Sequence, residues 1–125
     1  MGKDGFQGLK VWQKGKDLAV HIYAVTSSGK FKGDFGLRDQ MRRAAVSIPS
    51  NIAEGDERET DKEAVRYFYI AKGSSAEILT QAIIALEIRY IDQETFDGIR
   101  QRCIEISSML SRLISARSRT FVSDR

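Results

Sequence analysis

The sequence predicts an all-α protein, an antiparallel up-down four-helix bundle with a proline kink in the second helix. Apolar residues recur every three or four positions over four long segments, and short polar connections join these segments. No stretch alternates between apolar and polar residues with the period of two that a β-strand needs. The chain has 125 residues and one proline. We therefore expect one domain of long helices, 1–125, with a core over about 6–118 and short polar tails.

Each helix has recognisable ends. The first helix is predicted over Leu9–Thr26, before the glycine-rich segment SSGKFKGDFG. The second is predicted over Leu37–Ala53, with Gly55 as its C-terminal stop. The third is predicted from Thr60, a capping-box residue, to about Tyr90. The fourth follows IDQETFDG and fades in the polar sequence ARSRTFVSDR.

The predicted core consists of the apolar residues on one face of each helix. From the first helix to the fourth they are Leu9, Trp12, Ala19, Ile22, Tyr23 and Val25; Leu37, Met41, Ala44, Ile48 and Ile52; Val65, Phe68, Tyr69, Ile78, Leu79, Ala82, Ile83 and Leu86; and Phe96, Ile99, Cys103, Ile106, Leu110, Leu113 and Ile114.

The second helix carries an unusual polar stripe beside its apolar one. At about 100° per residue, the stripe runs along the segment QMRRAAVSIPSNIAEG, which also contains the only proline. The third helix offers matching small and polar groups in KGSSAE, where a mid-helix glycine is costly unless another backbone approaches closely. These residues predict a polar seam between the two helices, a subunit interface, or a ligand pocket at the kink. The set comprises Gln40, Arg43, Ser47, Pro49, Asn51, Glu54, Gly73, Ser74 and Glu77.

Charge is distributed unevenly along the chain. Residues 1–52 carry a net +5 and residues 100–125 a net +4, whereas residues 53–63 carry a net −4. An up-down bundle places the C-terminal arginines at the same end as the acidic segment, so they are expected to neutralise it within one subunit or across to a neighbour. The opposite end keeps its positive charge. If nucleic acid is bound, the expected phosphate contacts are Lys30, Lys32, Arg38 and Arg42.

The sequence argues against an enzyme and against a metal or cofactor site. His21, the only histidine, lacks the Glu-x-x-His spacing of a di-iron bundle, and one cysteine with one histidine cannot form a zinc site. Glu54 and Glu77 could form a carboxylate pair, but pairing with Arg43 or capping of the kink is the simpler interpretation. No apolar run approaches a membrane span, and the N-terminus lacks the apolar core of a signal peptide. We expect a cytoplasmic protein.

Three segments carry a resemblance to a known family. LKVWQKGKDLAVHIYAVT, GLRDQMRRAAVSIPSNIAEG and YFYIAKGSSAEILTQ resemble the small bacterial four-helix bundle proteins that include the 23S rRNA intervening-sequence proteins and are similar to the accessory proteins of diversity-generating retroelements. The resemblance covers about Phe6 to Leu113. The chain departs from the family in having Phe31-Lys32 where Phe-Pro is common, and EILTQAIIALEIRY in the third helix. The resemblance implies an up-down bundle, a ring-like homo-oligomer (a pentamer), and nucleic-acid binding in the retroelement branch.

Two functions are consistent with these observations. The first is a non-enzymatic oligomeric accessory protein that contacts the phosphates of RNA or DNA through arginine and lysine. The second is a protein-interaction or scaffold module with no nucleic-acid role.

Overall fold

The computed structural model describes residues 5–123, with side chains up to residue 119, and these residues form four α-helices. The helices are α1 (Lys10–Val25), α2 (Phe35–Asp56), α3 (Asp61–Glu87) and α4 (Gln93–Ser123). Short 3₁₀ segments, Gly5–Gly8 and Gly29–Gly33, precede α1 and α2. Residues 5–123 contain no β-strand. The prediction of an all-α bundle is confirmed. Residues 1–4 and 124–125 lie outside the described part of the chain, and α4 includes most of the predicted C-terminal tail.

Consecutive helices run in opposite directions. Arg117, late in α4, forms ion pairs both with Asp56 at the end of α2 and with Asp61 at the start of α3. In the middle of the bundle, the Ser75 hydroxyl of α3 donates a hydrogen bond to the Cys103 carbonyl of α4, 3.1 Å away. Helix α2 packs between α1 and α3, and α1 closes the bundle against α4.

The core is apolar and draws on all four helices, as the helical periodicity predicts. Its largest fully buried side chains include Leu18, Ile22, Met41, Ile48, Ile52, Phe68, Ile78, Ile99, Ile106 and Leu110. Three aromatic or aliphatic residues of the predicted core are instead exposed: Tyr23, Tyr69 and Ile83. They lie on the borders of the apolar stripes, and a helix in a bundle buries only the part of its surface that faces its neighbours.

Side-chain caps fix the helix ends at both ends of the bundle. Thr60 accepts a hydrogen bond from the Glu63 amide at 3.2 Å, which confirms the predicted cap of α3. Asp34 caps α2 by accepting from the Leu37 amide at 3.0 Å, and its other oxygen accepts from the Tyr90 hydroxyl at 2.9 Å. These two bonds lower the pKa of Asp34, and the Asp34 carboxylate in turn raises the pKa of Tyr90. The hydrogen bond from Tyr90 to Asp34 therefore links the turn after α3 to the start of α2.

Several predicted boundaries are wrong by a few residues. Gly55 does not stop α2 but lies inside it, buried against α3. Helix α3 ends at Glu87, three residues before Tyr90. Helix α4 does not fade near Ala116 but continues to Ser123. The bend expected at Pro49 stays a prediction, since α2 is one helix that contains this proline.

Within residues 5–123, every helix is too short or too polar to cross a membrane.

Candidate functional site

A polar contact joins the middles of α2 and α3. The hydroxyl oxygens of Ser47 and Ser74 lie 2.7 Å apart. The Asn51 amide nitrogen donates to the Ser47 carbonyl at 2.8 Å and to the Ser47 hydroxyl at 3.0 Å. These three side chains form the predicted seam. The Asn51 side chain bonds a carbonyl of its own helix, but not the Ala45 carbonyl, which is the one that loses its helical donor because of Pro49.

The other residues of the predicted stripe do not join this seam. Gln40, Arg43, Gly73 and Glu77 are exposed. Pro49 lies on the α1 side of α2, where its nitrogen would be 3.6 Å from a Cβ atom added to Gly15. Pro49 and Ser47 are two residues apart, about 200° around the helix, which places them on different sides.

Glu54 pairs with Arg58, and not with Arg43 as the sequence interpretation suggested. Its carboxylate lies 2.7 Å from the Arg58 guanidinium, one turn further along, rather than pairing with Arg43. Arg58 also donates to the Tyr67 hydroxyl at 2.8 Å and lies over the Tyr67 ring. The (i, i+4) spacing on one helix brings Glu54 and Arg58 together, and a surface pair of this kind contributes little stability.

Gly73 has open space where a side chain would be. A Cβ atom added there meets no atom within 4 Å. The close backbone approach that would explain a mid-helix glycine is therefore absent within the described part of one subunit.

The four basic residues predicted to contact phosphate lie at or near the α1–α2 end of the bundle. Lys30 and Lys32 are exposed on the second 3₁₀ segment. Arg38 pairs with the adjacent Asp39 at 3.0 Å and lies over the Phe35 ring. Lys30, Lys32 and Arg38 lie at or before the start of α2, whereas the acidic segment 53–63 begins at its end; Arg42 lies between the two, one turn after Arg38.

The guanidinium of Arg42 already has hydrogen-bond partners within the bundle, which the sequence does not indicate. Its guanidinium donates to the Thr26 hydroxyl at 2.9 Å and to the Ser27 hydroxyl at 3.2 Å, and it lies over the Tyr23 ring. A cation next to the C-terminus of α1 also interacts favourably with the helix dipole. Arg42 therefore stabilises the α1–α2 connection.

At the opposite end, Arg117 neutralises part of the acidic segment. Its nitrogens lie 3.1 Å from Asp61 and 3.4 Å from Asp56, whose side chain is only 3% exposed. For Arg117, this confirms within one subunit the expectation that the C-terminal arginines pair with the acidic segment.

The sequence interpretation missed a groove between α3 and α4. The groove has a volume of about 500 Å³, and its lining residues are Lys72, Ser75, Ala76, Leu79, Cys103, Ile104, Ser107, Ser108, Ser111 and Arg112. Burial raises the pKa of Cys103, on its floor, to about 11, so the thiol stays protonated at neutral pH. The available signal was the serine and arginine spacing along α4, since Ser108, Ser111, Arg112, Ser115 and Arg119 share one side of that helix.

Comparison with known proteins identifies relatives by fold and by sequence pattern. A solved structure from Bacteroides thetaiotaomicron VPI-5482, described as a protein with unknown function from the S23 ribosomal protein family, matches with a TM-score of 0.76 and 23% identity, over 83% of this chain and 97% of that one. At this identity the similarity shows the fold alone. No curated protein matches the chain. The sequence pattern of one family matches residues 7–112, most of the chain, and therefore the protein belongs to the 23S rRNA-intervening sequence protein family.

Proposed function

We propose that this protein is a non-enzymatic, oligomeric helical bundle that binds nucleic acid through phosphate contacts at the α1–α2 end. The observation that carries the proposal is the separation of charge between the two ends. Lys30 and Lys32 are exposed at one end, whereas Arg117 is already paired with the acidic segment at the other. Exposed cations without buried partners provide affinity for phosphate and little sequence preference.

The four basic residues at this end have different roles in the proposed phosphate binding. Lys30 and Lys32 supply the direct phosphate contacts. Arg38 is half-buried over Phe35 and contributes through its remaining guanidinium donors. Arg42 holds the α1–α2 connection in place and acts on phosphate from a fixed position. The family description, which refers to a 23S rRNA intervening sequence, supports nucleic acid as the partner.

The test is a titration of generic RNA and DNA at several salt concentrations. We expect Lys30→Gln/Lys32→Gln to flatten the log–log dependence of affinity on salt by roughly 0.7–0.9 for each lost contact. The control Lys10→Gln/Lys16→Gln removes the same charge from the exposed side of α1 and should change the slope less. Equal slopes for parent and Lys30→Gln/Lys32→Gln would refute this choice of face, and absence of salt-dependent binding by the parent would refute the function.

A scaffold formed from copies of this chain is the second candidate. It is favoured by the outer face of α3, where Ile70 and Ile84 are exposed on the same side as Gly73, and by the exposed Ile88 directly after the helix. Gly73 would allow the backbone of a second copy to approach closely.

A further inference from the structure

The groove between α3 and α4 has an unusual composition for a protein with nearly balanced charge. Its polar lining consists of Lys72, Arg112 and four serines, with no carboxylate among its lining residues. Two other surface depressions of the described bundle combine cations with acids; one contains Lys14 and Glu105, and the other Asp39 and Arg43. We propose that the α3–α4 groove is a second nucleic-acid site, which binds the phosphate backbone of a single strand. This inference takes nucleic acid as the ligand from the proposed function, but it concerns a different surface of the bundle.

The basic and hydroxyl lining continues along α4. Ser111 and Arg112 also line an adjacent depression, together with Ser115 and Arg119, again without a carboxylate. From residue 104 to residue 119, a helix extends about 22 Å. This length can contact several successive phosphates, and hydroxyl and guanidinium groups are the donors that proteins use for this purpose.

The serine hydroxyl donors lie deep between the two helices, and this position favours a single strand over a duplex. Ser107 and Ser111 are half-buried between the helices, and Ser75 is buried at the floor. Packed helices lie only about 8–10 Å apart, so a duplex can contact the rim cations but cannot enter the groove. A single strand can place its phosphates next to both the rim cations and the half-buried serines.

An exposed aromatic residue lies on α3 just before the first residue that lines the groove, Lys72. Tyr69 precedes Lys72 by one turn on the same side of α3, and it is 57% exposed although its position predicts a core residue. Sites for single-stranded nucleic acid combine a basic groove with aromatic rings on which bases stack. Tyr69 is placed to stack on a base next to a phosphate held by Lys72 and Arg112.

The experiment measures binding of a short mixed-sequence oligonucleotide, single-stranded and as a duplex, by fluorescence anisotropy. Lys72→Gln/Arg112→Gln should weaken single-strand binding and flatten its salt slope by about 0.7 per lost contact. Tyr69→Ala should weaken it by roughly five- to a hundredfold, with little change in slope. The duplex should be affected less by both variants. The control Lys10→Gln/Lys16→Gln removes equal charge away from the groove.

A charge introduced into the groove provides a test that leaves Tyr69, Lys72 and Arg112 in place. Ser108 is exposed on the groove side of α4, and Ser108→Glu should weaken single-strand binding by electrostatic repulsion. Ser50→Glu, an exposed serine of α2, is the matched control and should bind as the parent does apart from the general charge effect. Circular dichroism checks that each variant is folded.

The outcomes separate this inference from the proposed function. If the parent binds but groove variants retain its affinity and slope, the groove assignment is wrong and the α1–α2 site stands. If groove variants lose binding while Lys30→Gln/Lys32→Gln retains it, the groove is the site and the α1–α2 assignment is wrong. Equal losses for single strand and duplex would overturn the single-strand assignment. A changed oligomer mass with unchanged binding would assign the groove to a second copy of the chain.

Discussion

Asn51 is held by two hydrogen bonds to Ser47, and Ser47 is in turn bonded to Ser74 across the helix pair. All three residues are wholly or half-buried, so these polar groups have limited access to water. A buried polar group that loses its partner costs more than the hydrogen bond contributed. The Ser47–Asn51–Ser74 contact should therefore be more sensitive to substitution than the exposed remainder of the polar stripe.

We expect Asn51→Leu to lower the free energy of unfolding by roughly 1–3 kcal/mol, because it removes the donor to the Ser47 carbonyl and hydroxyl. Gln40→Leu is the matched control, because Gln40 lies in the same stripe but its amide is exposed. We expect it to change the free energy of unfolding by no more than about 0.5 kcal/mol. Urea denaturation at fixed protein concentration measures both variants. Equal stability of Asn51→Leu and the parent would show that the seam contributes nothing.

At the scale of the helices, Gly55 and Gly73 differ in their surroundings: the first is tightly packed and the second faces open space. A Cβ atom at Gly55 would lie 2.6 Å from Phe68 Cε1 and 3.0 Å from the Ala64 carbonyl oxygen, so α2 and α3 can pack this closely only around a glycine. Gly73 has no such neighbour within the described part of the subunit. That this glycine allows close approach of a second copy stays a prediction.

The two alanine substitutions should therefore have opposite effects on the fold. Gly55→Ala should destabilise it by about 1–3 kcal/mol through overpacking. Gly73→Ala should stabilise the isolated subunit by up to about 1 kcal/mol, because alanine is the better helix former, and should weaken self-association if α3 contacts a second copy. Thermal unfolding and sedimentation on the same samples separate these effects. If Gly73→Ala leaves association unchanged, the α3 face is not the interface.

For the whole molecule, the up-down order of the helices determines where charge is neutralised. It brings Arg117 to Asp56 and Asp61, and leaves Lys30 and Lys32 at the far end. Exposed isoleucines on the outer face of α3 remain without cover in one subunit. A chain with such a face and two differently charged ends can assemble head-to-tail around a closed ring.

We expect the protein to form a closed homo-oligomer, a pentamer, in solution. Sedimentation equilibrium at micromolar concentration measures the mass, and Ile84→Lys on the outer face of α3 should lower it. Ile104→Lys, an equally exposed isoleucine on α4, is the control and should leave the mass unchanged. A stable folded monomer of the parent would contradict this prediction.

The sequence by itself determined the fold class, the four helices, most of the core and the cap at Thr60, because these depend on residue periodicity and on local hydrogen bonds. It also predicted a polar feature that includes Ser47, Asn51 and Ser74, but it left open whether this feature is a seam between the helices, a subunit interface or a ligand pocket. The prediction missed the end of α2, because glycine does not stop a helix where a tertiary contact favours its continuation, and Gly55 packs on Phe68. It missed the end of α4, because a run of polar residues does not by itself end a helix.

Only the tertiary structure decided which charged groups remain available. Lys30 and Arg42 are both predicted phosphate contacts, yet Lys30 is exposed whereas Arg42 is bonded to Thr26 and Ser27. The α3–α4 groove likewise combines Lys72 with Arg112, 40 positions apart, and Tyr69, one turn before Lys72, is exposed. The physical reason is that periodicity assigns a residue to a helix face, whereas partners and exposure depend on which helices pack against that face and in which register.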